Sequence, residues 1–254
     1  MMNGSTIMKI TKILPLIACI GSGATSFASQ AAEEVLTPVW SGQAELGFIE
    51  TRGNTDTRSF NGKFNLVHDV QPMKTTLKLE ALSGEENGDK SKERYFAELK
   101  GDYTLGEYDY IASLLSYEDD RFSGFEYQSV LSVGYGYRVW HAKKGHFDVE
   151  IGPGYRRTSL EVRNEEGDKL KEEVIGRLSL DFAADISENA TFLETFTVES
   201  GEFGTVYRSI MGLQSTLVST LAMKMNYEVK YTDTVPEGTE EMDTIIGATL
   251  VYGF

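Results

Sequence analysis

Three features of the chain predict an all-β fold, an antiparallel transmembrane β-barrel of the bacterial outer-membrane type with roughly 12 strands. From Trp40 onward, apolar and polar residues alternate with period two in segments separated by turn signals. The polar face of that alternation holds charges of both signs, which a sandwich core could not bury but a wet lumen can pair or hydrate. The chain ends on a strand whose one face reads Ile246, Ala248, Leu250, Tyr252, Phe254, an apolar stripe finishing in two aromatics.

Composition agrees with this reading. Among 254 residues there are 25 Gly, 13 Tyr and 13 Phe but only 5 Pro, which suits strands and tight turns better than helices. Mean hydropathy is −0.27, and past the first few dozen residues no apolar run could span a bilayer as a helix. A membrane barrel escapes hydropathy in this way because only alternate residues face lipid. Formal net charge is −15, which argues against nucleic acid as a partner.

Residues 1–31 read as a cleaved secretory signal. Lys9 and Lys12 precede an apolar core, Ile13–Ile20, and small residues at Ser26-Phe-Ala28 and Ser29-Gln-Ala31 offer cleavage sites. The single cysteine, Cys19, lies in this leader, so the mature chain has neither disulfide nor thiol chemistry. Leu16-Ile-Ala-Cys19 also resembles a lipoprotein acylation box, which is the minority alternative. Residues 32–39 form a periplasmic lead-in, and 40–254 the barrel.

The first segment, Trp40–Ile49, sets Trp40, Ala44, Leu46 and Phe48 against Gln43 and Glu45, and Gly53–Asp56 turns. The second, Thr57–Val70, opposes Phe60, Phe64 and Leu66 to Asn61, Lys63 and Asn65 before a tight turn at Gln71-Pro72. The third, Met73–Leu82, places Leu77, Leu79 and Ala81 against Lys78 and Glu80; a polar loop spans 84–92. The fourth, Lys92–Thr104, sets Tyr95, Ala97, Leu99 and Tyr103 against Glu98, Lys100 and Asp102. In the fifth, Tyr108–Tyr117, Ile111 and Leu115 fall on the polar face, and an acidic loop at 118–126 follows. The sixth, Tyr127–Trp140, turns Leu131, Val133, Tyr135, Tyr137 and Val139 outward.

The seventh, His146–Thr158, opposes Phe147, Val149, Ile151 and Tyr155 to Asp148, Glu150 and Arg156; the longest loop, 161–173, comes next. The eighth, Val174–Asp185, sets Leu178, Leu180 and Phe182 against Arg177, Ser179 and Asp181. In the ninth, Ala190–Glu199, Glu194 interrupts the face of Phe192, Phe196 and Val198, which suggests a bulge or an interior bend. The tenth, Thr205–Thr216, carries Tyr207, Met211 and Leu213, opposite Arg208. The eleventh is the clearest, with Leu221, Met223, Met225, Tyr227, Val229 and Tyr231 against Lys224, Asn226, Glu228 and Lys230. Turns and loops alternate short and long, as periplasmic turns and outer loops do. Outward aromatics fall into an inner band (Trp40, Tyr103, Tyr108, Tyr137, Phe147, Phe254) and an outer one (Phe48, Phe60, Tyr95, Tyr127, Tyr155, Tyr207, Tyr231), as two membrane interfaces require.

Gly53-Asn54-Thr55-Asp56-Thr57, Gly152-Pro-Gly-Tyr155-Arg156 and the terminal Tyr252-Gly-Phe254 together resemble the family of salt-induced outer-membrane proteins of Gram-negative bacteria, a family of unknown function. The resemblance covers Trp40–Phe254. It implies an outer-membrane barrel with a loose link to salt stress, and no catalytic residues to carry over.

Three groups of residues are expected to matter. Ile246, Ala248, Leu250, Tyr252 and Phe254 form the assembly signal. Glu80, Glu98, Lys100, Asp148, Glu150, Arg177, Asp181, Arg208, Lys224, Glu228 and Lys230 line the lumen. Glu165, Glu166, Asp168, Glu172 and Glu173 make the longest outer loop acidic. His68, His141 and His146 all fall near the periplasmic end, out of reach of an outer-leaflet site, so an enzyme is disfavoured. His141 and His146 flank one turn near Asp148 without a third close ligand in sequence, a weak metal signal. No cofactor is expected. Expected partners are outer-membrane lipid and lipopolysaccharide, with the barrel-assembly machinery and periplasmic chaperones during biogenesis. The function these residues favour is envelope adaptation to salt, as a narrow cation-preferring pore or a structural barrel. The alternatives are an outer-membrane enzyme, or a surface binding or adhesion barrel using its acidic loops.

Overall fold

In a computed structural model, twelve antiparallel strands close into a single barrel. The structure describes residues 39–51, 57–121, 123, 125–163, 167–235 and 240–254. The leader, Gly53–Asp56, Glu165 and Glu166 lie outside the described residues. The strands are β1 Trp40–Thr51, β2 Thr57–Val70, β3 Met73–Glu86, β4 Asp89–Thr104, β5 Asp109–Asp120, β6 Phe125–Ala142, β7 Gly145–Leu160, β8 Leu170–Asp185, β9 Ala190–Gly201, β10 Gly204–Val218, β11 Leu221–Thr232 and β12 Met242–Gly253. Each pairs with its sequence neighbours, and β12 returns to β1. Closure is the solution that leaves no sheet edge for lipid to meet.

The alternation of the sequence becomes an inside and an outside. Leu46, Phe48, Leu131, Val133, Ile151, Met225, Ile246 and Leu250 are exposed on the outer wall, while Glu45, Glu98, Glu150, Arg156, Glu228 and Lys230 are buried in the lumen. A soluble fold would show the opposite arrangement. The bands of aromatics sit at the two rims: Tyr108 on Tyr137 and Trp40 on His68 at the inner end, Tyr207 on Tyr231 and Tyr117 on Tyr127 at the outer.

Several expectations are corrected. The strands run further outward than the alternation suggested, so the 84–92 loop shrinks to a turn at Asn87-Gly88, both with positive φ of 53° and 89°. That backbone is the two-residue hairpin turn whose twist matches the strands, and Asn-Gly supplies it at least cost. Glu118 and Glu126 belong to strands β5 and β6, and Glu172 and Glu173 to β8, rather than to loops.

The faces of β5 are reversed. Ile111, Leu115 and Tyr117 are exposed outside, while Tyr110, Ala112 and Leu114 are buried inside. The ladder to β6 fixes this, pairing Leu115 with Leu131 and Ile111 with Tyr135. Inside, the Tyr110 ring lies where a side chain at Gly136 would stand, so only glycine fits there. Strand β9 has no bulge: its ladders to β8 and β10 are continuous, and Glu194 stays on the outer face, accepting a 2.8 Å hydrogen bond from Ser209 of β10. That hydroxyl gives the outward carboxylate a partner within the wall.

Candidate functional site: a charged septum across the lumen

Every expected lumen charge except Lys224 lines one internal cavity of about 340 Å³. Lys224 pairs instead with Glu45 of β1 at 2.9 Å, close to the strands that close the barrel. The cavity does not run through the molecule unobstructed. Side chains from opposite walls meet across it.

Glu118 of β5 is the centre of that meeting. Its two oxygens take Arg208 of β10 and Lys230 of β11, both at 2.6 Å, from strands on the far side of the barrel. Glu228 of β11 is held by Arg94 of β4 at 2.8 Å, again across the lumen, and Arg208 approaches the same carboxylate at 3.6 Å. Arg94 also reaches Glu80, which takes Lys63, both at 3.4 Å. The Arg208 guanidinium lies 5.8 Å from the Phe96 ring centroid of β4. Seven ionised side chains from six strands thus form one connected network. Its acids and bases nearly balance, which is the condition for holding charge out of water.

A second cluster stands beside the first. Glu150 of β7 takes Lys100 of β4, Arg177 of β8 at 3.7 Å and the Tyr110 hydroxyl at 2.8 Å; Arg177 continues to Glu199 of β9 at 3.4 Å. Lys78 and Glu98 pair at 3.0 Å on neighbouring strands.

The first network acts as a septum. The cavity of about 340 Å³ on its inner side is lined by Lys74, Asp102, His146, Asp148 and Asp181 and includes Glu228 and Lys230. A second cavity of about 180 Å³, lined by Ser91, Lys92, Asp120 and Asp243, shares those same two residues on the outer side. Two vestibules therefore meet at one wall of ion pairs.

Sequence reasoning missed Glu118, Arg94, Glu173, Glu199 and Tyr110. The sequence alone reads Glu118 and Glu173 as loop residues and sets Tyr110 on the outward face. Glu173 is buried and inward, taking Arg156 at 2.7 Å and the Phe203 amide at 2.8 Å. Glu172 faces outward beside Arg157 at 3.6 Å. Asp168 stays in the outer loop. The five residues of the terminal stripe are exposed on the outer wall. The Phe254 amide and carbonyl each bond Gly42 of β1 at 2.9 Å.

The three histidines sit at inner strand ends. The His68 ring lies 4.2 Å from that of Trp40, and His146 meets Asp181 at 2.6 Å. Among the described residues no group of three metal-binding side chains converges.

The model of DUF481, a family of proteins of unknown function, matches residues 44–254. The chain is similar to YdiY, an uncharacterized protein of Escherichia coli (strain K12), with 25% identity over 244 residues that cover 92% of this chain and 94% of the relative. Solved structures with partial similarity include the NanC porin, at TM-score 0.48 and 12% identity over 84% of this chain and 97% of that one. Another is the translocator domain of the autotransporter NalP from Neisseria meningitidis, at TM-score 0.47 and 13% identity over 85% and 87%.

Proposed function

The chain belongs to the DUF481 family, and from that footing we propose that it is a bacterial outer-membrane barrel serving envelope adaptation to salt as a narrow, septum-restricted pore. The observation that carries the membrane reading is the exposed apolar wall between two aromatic rims, wrapped around buried charge. The observation that carries the restriction is the septum. Barrels of about 16–18 strands leave an aqueous channel and those of about 8 a filled interior, and twelve lies between. Ion pairs that bridge the lumen of a twelve-stranded barrel support a narrow passage over a wide one.

Cation preference is the finer part of the reading. Outer strand ends and turns carry Glu85, Glu86, Asp89, Asp119, Glu161, Glu202 and Glu241, a field that concentrates cations at the mouth. It should fade as salt screens it, with a Debye length of about 10 Å at 0.1 M and 3 Å at 1 M. Refolded protein in planar bilayers should therefore show small conductance steps, with cation selectivity at 0.1 M that weakens at 1 M. Steps as large as those of a general porin would discard the septum as a restriction, and anion selectivity at low salt would discard the electrostatics. Absence of any conductance would leave a structural barrel.

Topology supplies a second expected outcome. An epitope inserted at Gly167-Asp168 should be accessible on intact cells, and one between Lys143 and Lys144 should not. The reverse pattern would invert the barrel.

A further inference from the structure

The outer rim is not level. β9 and β10 end at the pair Gly201↔Gly204, with Glu202-Phe203 as the turn between them. β8 pairs with β9 only from Gly176↔Ser200 inward, and runs on to Leu170 against β7. The shorter β9–β10 hairpin does not stand upright beside this taller wall. The Gly204 carbonyl accepts a 2.7 Å hydrogen bond from Arg156 Nη2 of β7, and the Phe203 amide donates to Glu173 of β8 at 2.8 Å. β7 and β10 are three strand spacings apart, about 14 Å along the wall, farther than an arginine side chain reaches. The hairpin tip is therefore folded inward over the lumen.

What holds it there is mostly polar. Arg156 and Glu173 face the lumen, are 3% and 8% exposed, and pair at 2.7 Å. Lys171 lies 5.1 Å from the Phe203 ring centroid. Both ends of the tip require glycine: a Cβ at Gly201 would collide with the Glu173 carboxylate, and Gly204 has a φ of 123°. Glu202 and Phe203 are exposed, so little apolar burial keeps the tip down. The closed arrangement also leaves Arg156 Nη1 buried without a hydrogen-bond partner among the described residues, a cost that release would relieve. Beneath the tip, Val206 follows Gly204 on the inward face of β10 and lines the cavity of about 340 Å³. Ile175, against Gly201, clusters with Leu114 and Val130, which line the same cavity.

We propose that the β9–β10 tip is a lid over this cavity, latched by Arg156 and Glu173, and that its release opens an exit to the cell exterior that bypasses the septum. The proposal rests on the pore reading above. The septum joins β2, β3, β4, β5, β10 and β11, whereas the latch joins β7, β8 and the β9–β10 turn. The two closures therefore share no side chain and can open separately.

The test uses the full chain with Cys19→Ser, the sole native cysteine removed. Spin labels at Glu202→Cys on the tip and Lys92→Cys at the opposite rim, both exposed, report the distance across the mouth in lipid nanodiscs. The latch is released by Arg156→Gln with Glu173→Gln, which strands no charge. Gly201→Val releases it independently, by pushing the Glu173 carboxylate off the Phe203 amide, and serves should the double variant fail to fold. In the latched protein one distance is expected; in either released variant a longer distance becomes the major population. Conductance of the same variants without labels should rise at least twofold in planar bilayers. An unchanged distance in a folded released variant overturns the lid, whatever the conductance of the unmodified pore. A lengthened distance with unchanged conductance overturns the exit and leaves the pore reading intact. Absence of conductance from every variant removes the pore reading and the exit with it.

Discussion

Deleting Phe254, or changing it to Asp, should lower the amount of folded barrel in the outer membrane at least tenfold while leaving export to the periplasm intact. The residue closes the cylinder at its shortest seam. Its amide and carbonyl form a pair of 2.9 Å bonds with Gly42, just below the four ladder pairs that join β12 to β1. Its ring stacks on Phe64 and Tyr252 and covers Gly42, where a Cβ would come within 2.6 Å of Phe254 Cζ. Removing it unpairs backbone groups at the membrane boundary and strips aromatic contacts worth about 0.5–1.5 kcal/mol each. An Asp there would add a charge where an aromatic girdle belongs. The measurement is the fast-migrating unboiled band on a gel, against total protein by immunoblot. Wild-type levels of that band in the Asp variant would end the assignment of the terminal stripe as the assembly signal.

Glu118→Ala should destabilise the barrel by about 3–5 kcal/mol, the range for breaking a buried ion pair from one side. Glu118 is 8% exposed, and without it Arg208 and Lys230 face each other with no carboxylate between them. Conductance should rise in the same variant, because the central connection of the septum is gone. Adding Arg208→Gln and Lys230→Gln should recover much of the stability, since the stranded cations are then removed, but should leave the pore wider than wild type. Urea unfolding in lipid and single-channel recording read the two effects separately. Unchanged stability in the single variant would mean that lumen water already solvates these groups. Unchanged conductance would mean that the septum does not restrict the pore.

Most of the wall was legible in the sequence, while the septum was not. β11 and β12 alternate cleanly, and the structure turns Met223, Met225 and Tyr227 outward as their spacing requires. β5 defeated the same reasoning for a physical reason: Ile111, Leu115 and Tyr117 on one face and Tyr110, Ala112 and Leu114 on the other are both apolar, so period two cannot choose between them. The choice was made by a glycine on the next strand, Gly136, which opens space for the Tyr110 ring. The reach of the strands was underestimated because their outer ends carry acids, which look like loop. Glu118 and Glu173 are the cost of that rule. Partners across the lumen are beyond any local pattern, since Glu118 and Lys230 are 112 residues apart and meet only when the barrel closes.

The septum also lets the chain count its own strands. In a barrel whose interior is simply wet, a hairpin could be lost or duplicated and the wall would reseal at a new circumference. Here Glu118 on β5 must face β10 and β11, and Arg94 on β4 must face β11. One hairpin more or fewer would change both the diameter and which strands stand opposite, so Glu118 and Arg94 would lose these partners. Growth of such a barrel by hairpin duplication, the simplest route from one size to another, is therefore closed to this sequence until its interior charges are first replaced.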